Sequence, residues 1–124
     1  MAGIGYVSVG ANDMDKALAF YDALFSLIGG KRMMPTPNGV IYQMANGPMF
    51  MVTKPYDQGA ATKGNGTMIA IQADSKEQVA QLHAKALELG GTCEGEPGPR
   101  GAFGTFAYFR DLDGNKLAAF VMGG

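Results

Sequence analysis

An α+β fold built from two tandem βαβββ modules is the fold class that this 124-residue sequence predicts. Two observations carry it. The first is internal repetition: Asp13 and Asp74 lie 61 residues apart, Gly29-Gly30 and Gly90-Gly91 repeat that spacing, and Ala19/Ala80 and Ala23/Ala84 also match. Self-similarity at a fixed period marks a duplicated structural unit. The second is patterning: each copy shows one stretch of helical periodicity set among short strand-like runs bounded by turn residues.

The elements follow in order. "IGYVSVG" alternates like a strand. Residues 13–28, "DMDKALAFYDALFSLI", carry apolar side chains at 14, 17, 18, 21, 24, 25 and 28, the spacing of a helix with a broad buried face. Asp13 is its expected N-cap and Gly29-Gly30 its stop. "KRMMPT", "GVIYQMAN" and "PMFMVTK" read as three short strands separated by Pro, Asn and Gly turn signals. In the second copy "TMIAIQA" is a strand, and Asp74 with Glu77 is expected to form a capping box. "SKEQVAQLHAKALEL", apolar at 79, 82, 86 and 89, is the second helix, followed by strands over "TCEGE", "FGTFAYF" and "NKLAAFVM". Module one thus spans about residues 1–54 and module two about 67–124 of one domain. The polar, glycine-rich stretch at about 55–66 is a solvated connector, because it lacks the G-x-x-x-x-G-K-[ST] order of a phosphate-binding loop.

Composition narrows the function classes. A formal charge of −1 with scattered Lys and Arg leaves no basic footprint for nucleic acid. No apolar run approaches the roughly 18 residues of a membrane span, and no basic segment precedes an apolar one at the N-terminus, so a cytoplasmic protein is expected. The single cysteine, Cys93, excludes an internal disulfide, disfavours a cysteine metal cluster and is expected to be a buried structural thiol. The single histidine, His83, is expected on an exposed or half-buried helix face. Nine methionines, several in strands, suit either core filling, the expected role for any one of them, or a tolerant apolar pocket.

"GYVSVGANDMDKALAFYDAL" near the start and "YFRDLDGNKLAAF" near the end, joined to the repeat, make the chain resemble the vicinal-oxygen-chelate superfamily, which includes glyoxalase I, extradiol dioxygenases and bleomycin-resistance proteins. The resemblance implies two curled, four-stranded mixed sheets around a cavity, and a homodimer. Both motifs also have structural explanations: Asp13 caps a helix, and Asp111 to Asn115 makes a turn in which Asp side chains bond nearby amides and Gly114 takes positive φ.

The resemblance also implies three metal-ligand loci, which fall on Tyr6, on Met68 (or Thr67) and on Ala118. None offers the anionic or imidazole donors that a divalent metal needs, so no metal and no cofactor are expected. What the resemblance leaves is a candidate ligand pocket lined by Tyr6, Ser8, Tyr42, Met44, Met68, Tyr108, Ala118 and Phe120, with Ala70 and Gln72 on the same face; the alternative is that these side chains are filled core. The loop expected over residues 94–106 reads first as a plain connection and alternatively as a lid whose Arg100 holds an anion. The function expected is metal-independent binding of a small molecule of the glyoxalase/bleomycin-resistance type. The alternatives are a glyoxalase-like lyase or dioxygenase-like enzyme with a non-standard or absent metal site, and a structural or interaction protein. Catalytic residues are not assignable.

Overall fold

The computed structural model describes residues 2–123. The elements run β1 (Tyr6–Gly10), α1 (Met14–Ser26), β2 (Lys31–Thr36), β3 (Gly39–Gln43), β4 (Met49–Thr53), β5 (Ile69–Gln72), α2 (Lys76–Glu88), β6 (Thr92–Pro99), β7 (Gly104–Arg110) and β8 (Lys116–Met122). Each βαβββ copy makes its own mixed sheet, ordered β1-β4-β3-β2 in the first and β5-β8-β7-β6 in the second. The first strand of each copy pairs parallel to the last, and the other pairings are antiparallel. The chain divides into two compact units, Met1–Thr62 and Lys63–Gly124.

In the first unit α1 covers one face of the sheet. Its apolar stripe buries Ala17, Leu18, Tyr21, Leu24 and Phe25 against Val9, Val40, Tyr42, Phe50 and Val52. Aromatic edges and faces interlock there: Phe25 lies 4.9 Å from Phe50 and 5.3 Å from Tyr42, and Tyr21 lies 5.1 Å from Phe50. Tyr42 is fully buried, and its hydroxyl donates to the Asp22 carboxylate at 2.7 Å and lies 3.3 Å from the Leu18 carbonyl. Arg32 grips both oxygens of Asp22, at 2.9 and 2.6 Å. This fork, then the Tyr42 hydroxyl, holds the Asp22 carboxyl below its ordinary range, although burial opposes it. Burial first, and then the Asp22 hydrogen bond, pushes the Tyr42 phenol upward.

In the second unit α2 packs on β6, β7 and β8. Val79, Leu82, His83 and Ala86 supply the buried stripe against a sheet face containing Ala107, Phe109, Leu117 and Ala119. His83 is therefore 4% exposed rather than on an open helix face: α2 has fewer large apolar residues than α1, and the imidazole beside Leu82 completes its stripe.

Both helix caps follow from local chemistry, one of them shifted from expectation. Asp13 caps α1 by accepting from the Lys16 amide at 3.2 Å. The α2 cap is Ser75 rather than Asp74: its hydroxyl accepts from the Gln78 amide at 3.1 Å, while the Gln78 side chain accepts from the Asp74 amide at 2.7 Å. Serine competes well with aspartate at this position, and the Gln78 side chain reaches back past the cap to satisfy the amide before it. At the C-termini the 61-residue offset holds: the Gly30 amide bonds the Phe25 carbonyl as the Gly91 amide bonds that of Ala86.

The turn from β7 to β8 is closed by Asp111, which is 6% exposed. Its Oδ1 accepts from the Asp113 and Asn115 amides and its Oδ2 from the Asn115 side chain, each at 2.9 Å. Gly114 stands at φ +86°, a conformation that strains other residues. The segment after Glu94 departs from its expected loop. Residues up to Pro99 continue β6, and only Arg100–Phe103 turn. Two prolines are compatible with a strand here because β6 lies at the sheet edge, where a missing amide donor breaks no ladder.

Removing the Tyr42 hydroxyl (Tyr42→Phe) is expected to lower unfolding free energy by about 1–3 kcal/mol, read from urea melts, because it strips a charged acceptor of a buried donor. Asp22, with a depressed native pKa, stabilises the fold above its unfolded value of 3.8 and loses that contribution as pH falls through the native value. The stability difference between wild type and Asp22→Asn should therefore shrink as melts are taken from about pH 6 towards pH 2.

Candidate functional site

Each sheet has one face under its helix and one face turned away, and strand alternation decides which side chains reach which. On the second sheet the face away from α2 carries Phe106 and Tyr108 of β7, Lys116, Ala118 and Phe120 of β8, and Ala70 and Gln72 of β5. Register brings them together: Tyr108 pairs with Ala118, Phe106 with Phe120, Ala70 with Ala118 and Gln72 with Phe120. The Phe106 ring stacks between those of Phe120, at 5.2 Å and 14°, and Tyr108, at 6.2 Å and 17°. All three rings remain half-buried. Ala118 is fully buried within this face.

Two cations flank the stack. The Arg100 guanidinium lies 5.5 Å from the Tyr108 ring centre and the Lys116 ammonium 5.4 Å from it, both within cation–π range. Arg100 is held by the Glu96 carbonyl at 2.8 Å and the Pro99 carbonyl at 3.2 Å. Its place exists because Gly95 and Gly98 of β6 lack side chains: a Cβ on either would stand 3.3 or 3.4 Å from a guanidinium nitrogen. Those glycines belong to the segment over residues 94–106 that the sequence already sets apart together with Arg100. Of the residues expected to form a pocket, Tyr108, Ala118 and Phe120 therefore converge, with Arg100 beside them.

The first sheet places the remaining candidates differently. Tyr6 and Ser8 share the face away from α1 with Met51, whose strand pairs with β1. Tyr42 does not join them. It points to the opposite face, into the α1 core, because even-numbered residues of β3 face the helix. Met44 follows β3 and packs at the end of α1, its thioether 3.1 Å from where a Gly30 Cβ would stand. Met68 precedes β5 and is 44% exposed; Tyr6 is 57% exposed.

The face with Ser8 also borders a groove of about 700 Å³, walled by the turn between β2 and β3 and by the segment after β4. Ser8, Asn38, Met51, Thr53, Lys54 and Tyr56 are among its lining residues. The connector thus forms a wall instead of hanging in solvent. Asn12 pins it, its side-chain oxygen accepting from the Ala61 amide at 2.7 Å and its nitrogen donating to the Ala61 carbonyl at 3.1 Å. Gly10 permits the close approach, since a Cβ there would lie 2.9 Å from that of Ala61. Lys54 makes no ion pair among the described residues.

With this architecture in view, the comparisons with known proteins are decisive on family. Residues 3–119 match the Glyoxalase/Bleomycin resistance protein/Dioxygenase superfamily. The chain belongs to that superfamily. A glyoxalase/bleomycin resistance protein from Albidiferax ferrireducens T118 is 36% identical over 95% of this chain and 97% of its own, with a TM-score of 0.86. Two further structures share the fold. A lactoylglutathione lyase from Agrobacterium tumefaciens is 20% identical, covering 98% of this chain and 94% of its own (TM-score 0.74). A fosfomycin resistance protein from Listeria monocytogenes is 19% identical, covering 98% and 93% (TM-score 0.74). No protein of curated function matches the chain. No helix among the described residues is long and apolar enough to cross a membrane.

At the three loci where the superfamily resemblance implied metal ligands, the side chains are the phenol of Tyr6, the thioether of Met68 and the methyl of Ala118. They do not fit a divalent cation, which takes imidazole, thiolate or carboxylate donors. The arrangement on the second sheet instead suits stacking and charge pairing.

Asn12→Ala is expected to speed hydrogen exchange of the Ala61 amide at least about tenfold relative to strand amides, since that amide loses its acceptor and its restraint on the segment.

Proposed function

We propose that this protein binds a small, flat, partly aromatic molecule carrying a negative group, without a metal at the Tyr6, Met68 and Ala118 loci. The observation that supports it is the half-buried Phe106–Tyr108–Phe120 stack flanked by Arg100 and Lys116. Three near-parallel, half-buried rings form an aromatic strip for a planar ligand to lie against, and two cations supply the charge complement. A purely structural role for this face would favour sealing the rings and would not require two cations beside them. Binding rather than turnover is the reading for this face because the one histidine lies on the helix-covered side and the nearby Glu94 carboxylate is paired with Arg110.

A second location is favoured by one observation, the roughly 700 Å³ groove of the first unit, whose Lys54 would take the anionic group and Met51 the apolar part. A homodimer and a cytoplasmic setting complete the reading, the former checked by light scattering on the tag-free protein.

A screen of aromatic carboxylates by ligand-observed NMR is expected to find binders that Tyr108→Ala weakens by about tenfold, roughly the 1.4 kcal/mol of one lost stacking contact. Arg100→Ala should weaken carboxylates more than their amides. Binding untouched by both variants but lost in Lys54→Ala would move the site to the groove. Loss in none of them would refute both locations.

A further inference from the structure

On the helix-covered side of the second sheet, away from the aromatic stack, the chain's only histidine and only cysteine meet. His83 Nε2 lies 3.2 Å from Cys93 Sγ, and Sγ lies 3.6 Å from a carboxylate oxygen of Glu96. All three donor atoms fall within 4.8 Å of one another. His83 is 4% exposed, whereas Cys93 and Glu96 lie open to solvent, so the thiol is not the buried residue that its strand position suggested.

The backbone has been shaped to bring these groups together. In a regular strand residues three apart point to opposite faces. Cys93 pairs with Phe109 but Gly95 with Tyr108, so Glu94 is an extra residue, a β-bulge. Gly95 accordingly shares the Tyr108 face, and Glu96 returns to the side of Cys93 and Phe109. The ring of Phe109, 6.4 Å from that of His83, fills the space beneath. Glu94 itself turns to Arg110, which it meets at 3.1 Å. The bulge is thus what turns a Cys and a Glu of the edge strand towards one helix histidine.

We propose that His83, Cys93 and Glu96 form a binding site for a zinc-like divalent cation, distinct from the three loci that the superfamily resemblance implied. Bonds of about 2.0 Å to nitrogen and 2.3 Å to sulfur at tetrahedral angles place those two donors about 3.5 Å apart. The observed nitrogen–sulfur separation is 3.2 Å, and the sulfur–carboxylate pair, for which similar bond lengths give about the same spacing, stands at 3.6 Å. A soft thiolate, an imidazole and a carboxylate together favour zinc over magnesium or calcium, which prefer oxygen. Three protein ligands leave a fourth position open on the exposed side for water. Binding replaces the thiol proton, which passes to solvent as the sulfur–metal bond forms, with no change of oxidation state. Because His83 is on α2 and the other two ligands are on β6, the cation ties the helix to the edge strand.

One histidine and one cysteine make every signal from them site-specific without substitution. Tag-free, chelator-treated protein is titrated with Co²⁺, followed by absorbance and by the His83 ring resonances, and then with Zn²⁺. The expected result is saturation at one equivalent, with a thiolate-to-cobalt charge-transfer band, tetrahedral d–d bands, shifted His83 resonances and displacement of Co²⁺ by Zn²⁺. Cys93→Ser, at an exposed position, should abolish the charge-transfer band. Glu96→Gln should weaken cobalt binding about tenfold or more while its metal-free melting curve matches wild type. Absence of the thiolate band in wild type, unmoved His83 resonances at saturation, or unchanged affinity in Glu96→Gln would each overturn the three-ligand site. Ligand binding by Tyr108 variants is read separately in chelator, so failure here leaves the aromatic face standing.

Discussion

The second unit depends on a buried carboxylate. Asp111 collects three hydrogen bonds at 2.9 Å where β7 hands over to β8, and these two strands form the centre of their sheet. A charge so enclosed is tolerable only when donors surround it, and the donors here come from the turn that it shapes. The register it sets puts Tyr108 beside Ala118 and Phe106 beside Phe120, and places Phe109 against α2. The aromatic stack on one face and the His83 cluster on the other are both downstream of that turn. In the first unit the Asp22–Arg32–Tyr42 node plays a comparable part, tying α1 to β2 and β3 through one carboxylate.

The division of each sheet into a helix-covered and an open face separates two kinds of chemistry. Under the helices are large apolar rings and few polar atoms, and none of the buried side-chain polar atoms among the described residues lacks a partner. On the open faces are half-buried rings, methionines and cations held against an aromatic ring. Superfamily membership sets this geometry, while the residues decorating it differ from what a metal-centred reaction would need at Tyr6, Met68 and Ala118. Fold and chemistry are separable here, as in many widely used scaffolds.

Most of the architecture was legible in the sequence because it rests on periodicity and local caps. The ten elements and the Asp111–Asn115 turn follow from short local patterns, and the 61-residue repeat from the coincidence of several such patterns at one offset. What escaped depends on one-residue differences in backbone register. Ser75 rather than Asp74 caps α2, a shift of one position between two good capping residues. Tyr42 faces α1 and not the open side because alternation along β3 sets it with Val40. His83, Cys93 and Glu96 looked unrelated because a regular strand separates positions 93 and 96, and only the extra residue at Glu94 reunites them. Of the expected pocket, Tyr108, Ala118 and Phe120 were recoverable from alternation along β7 and β8, whereas Arg100 needed the space left by Gly95 and Gly98.

The irregular outer strands have one more effect. Pro35 lies within β2 and Pro97 and Pro99 within β6, each the outermost strand on its side, and both strands slip register against their neighbours. A strand from another molecule can add to a sheet only where a continuous row of amides and carbonyls awaits it. At these borders the row is broken in both places. Each sheet is thereby closed to growth on that flank, and copies crowded together during synthesis lack a template there for fibrous polymerisation.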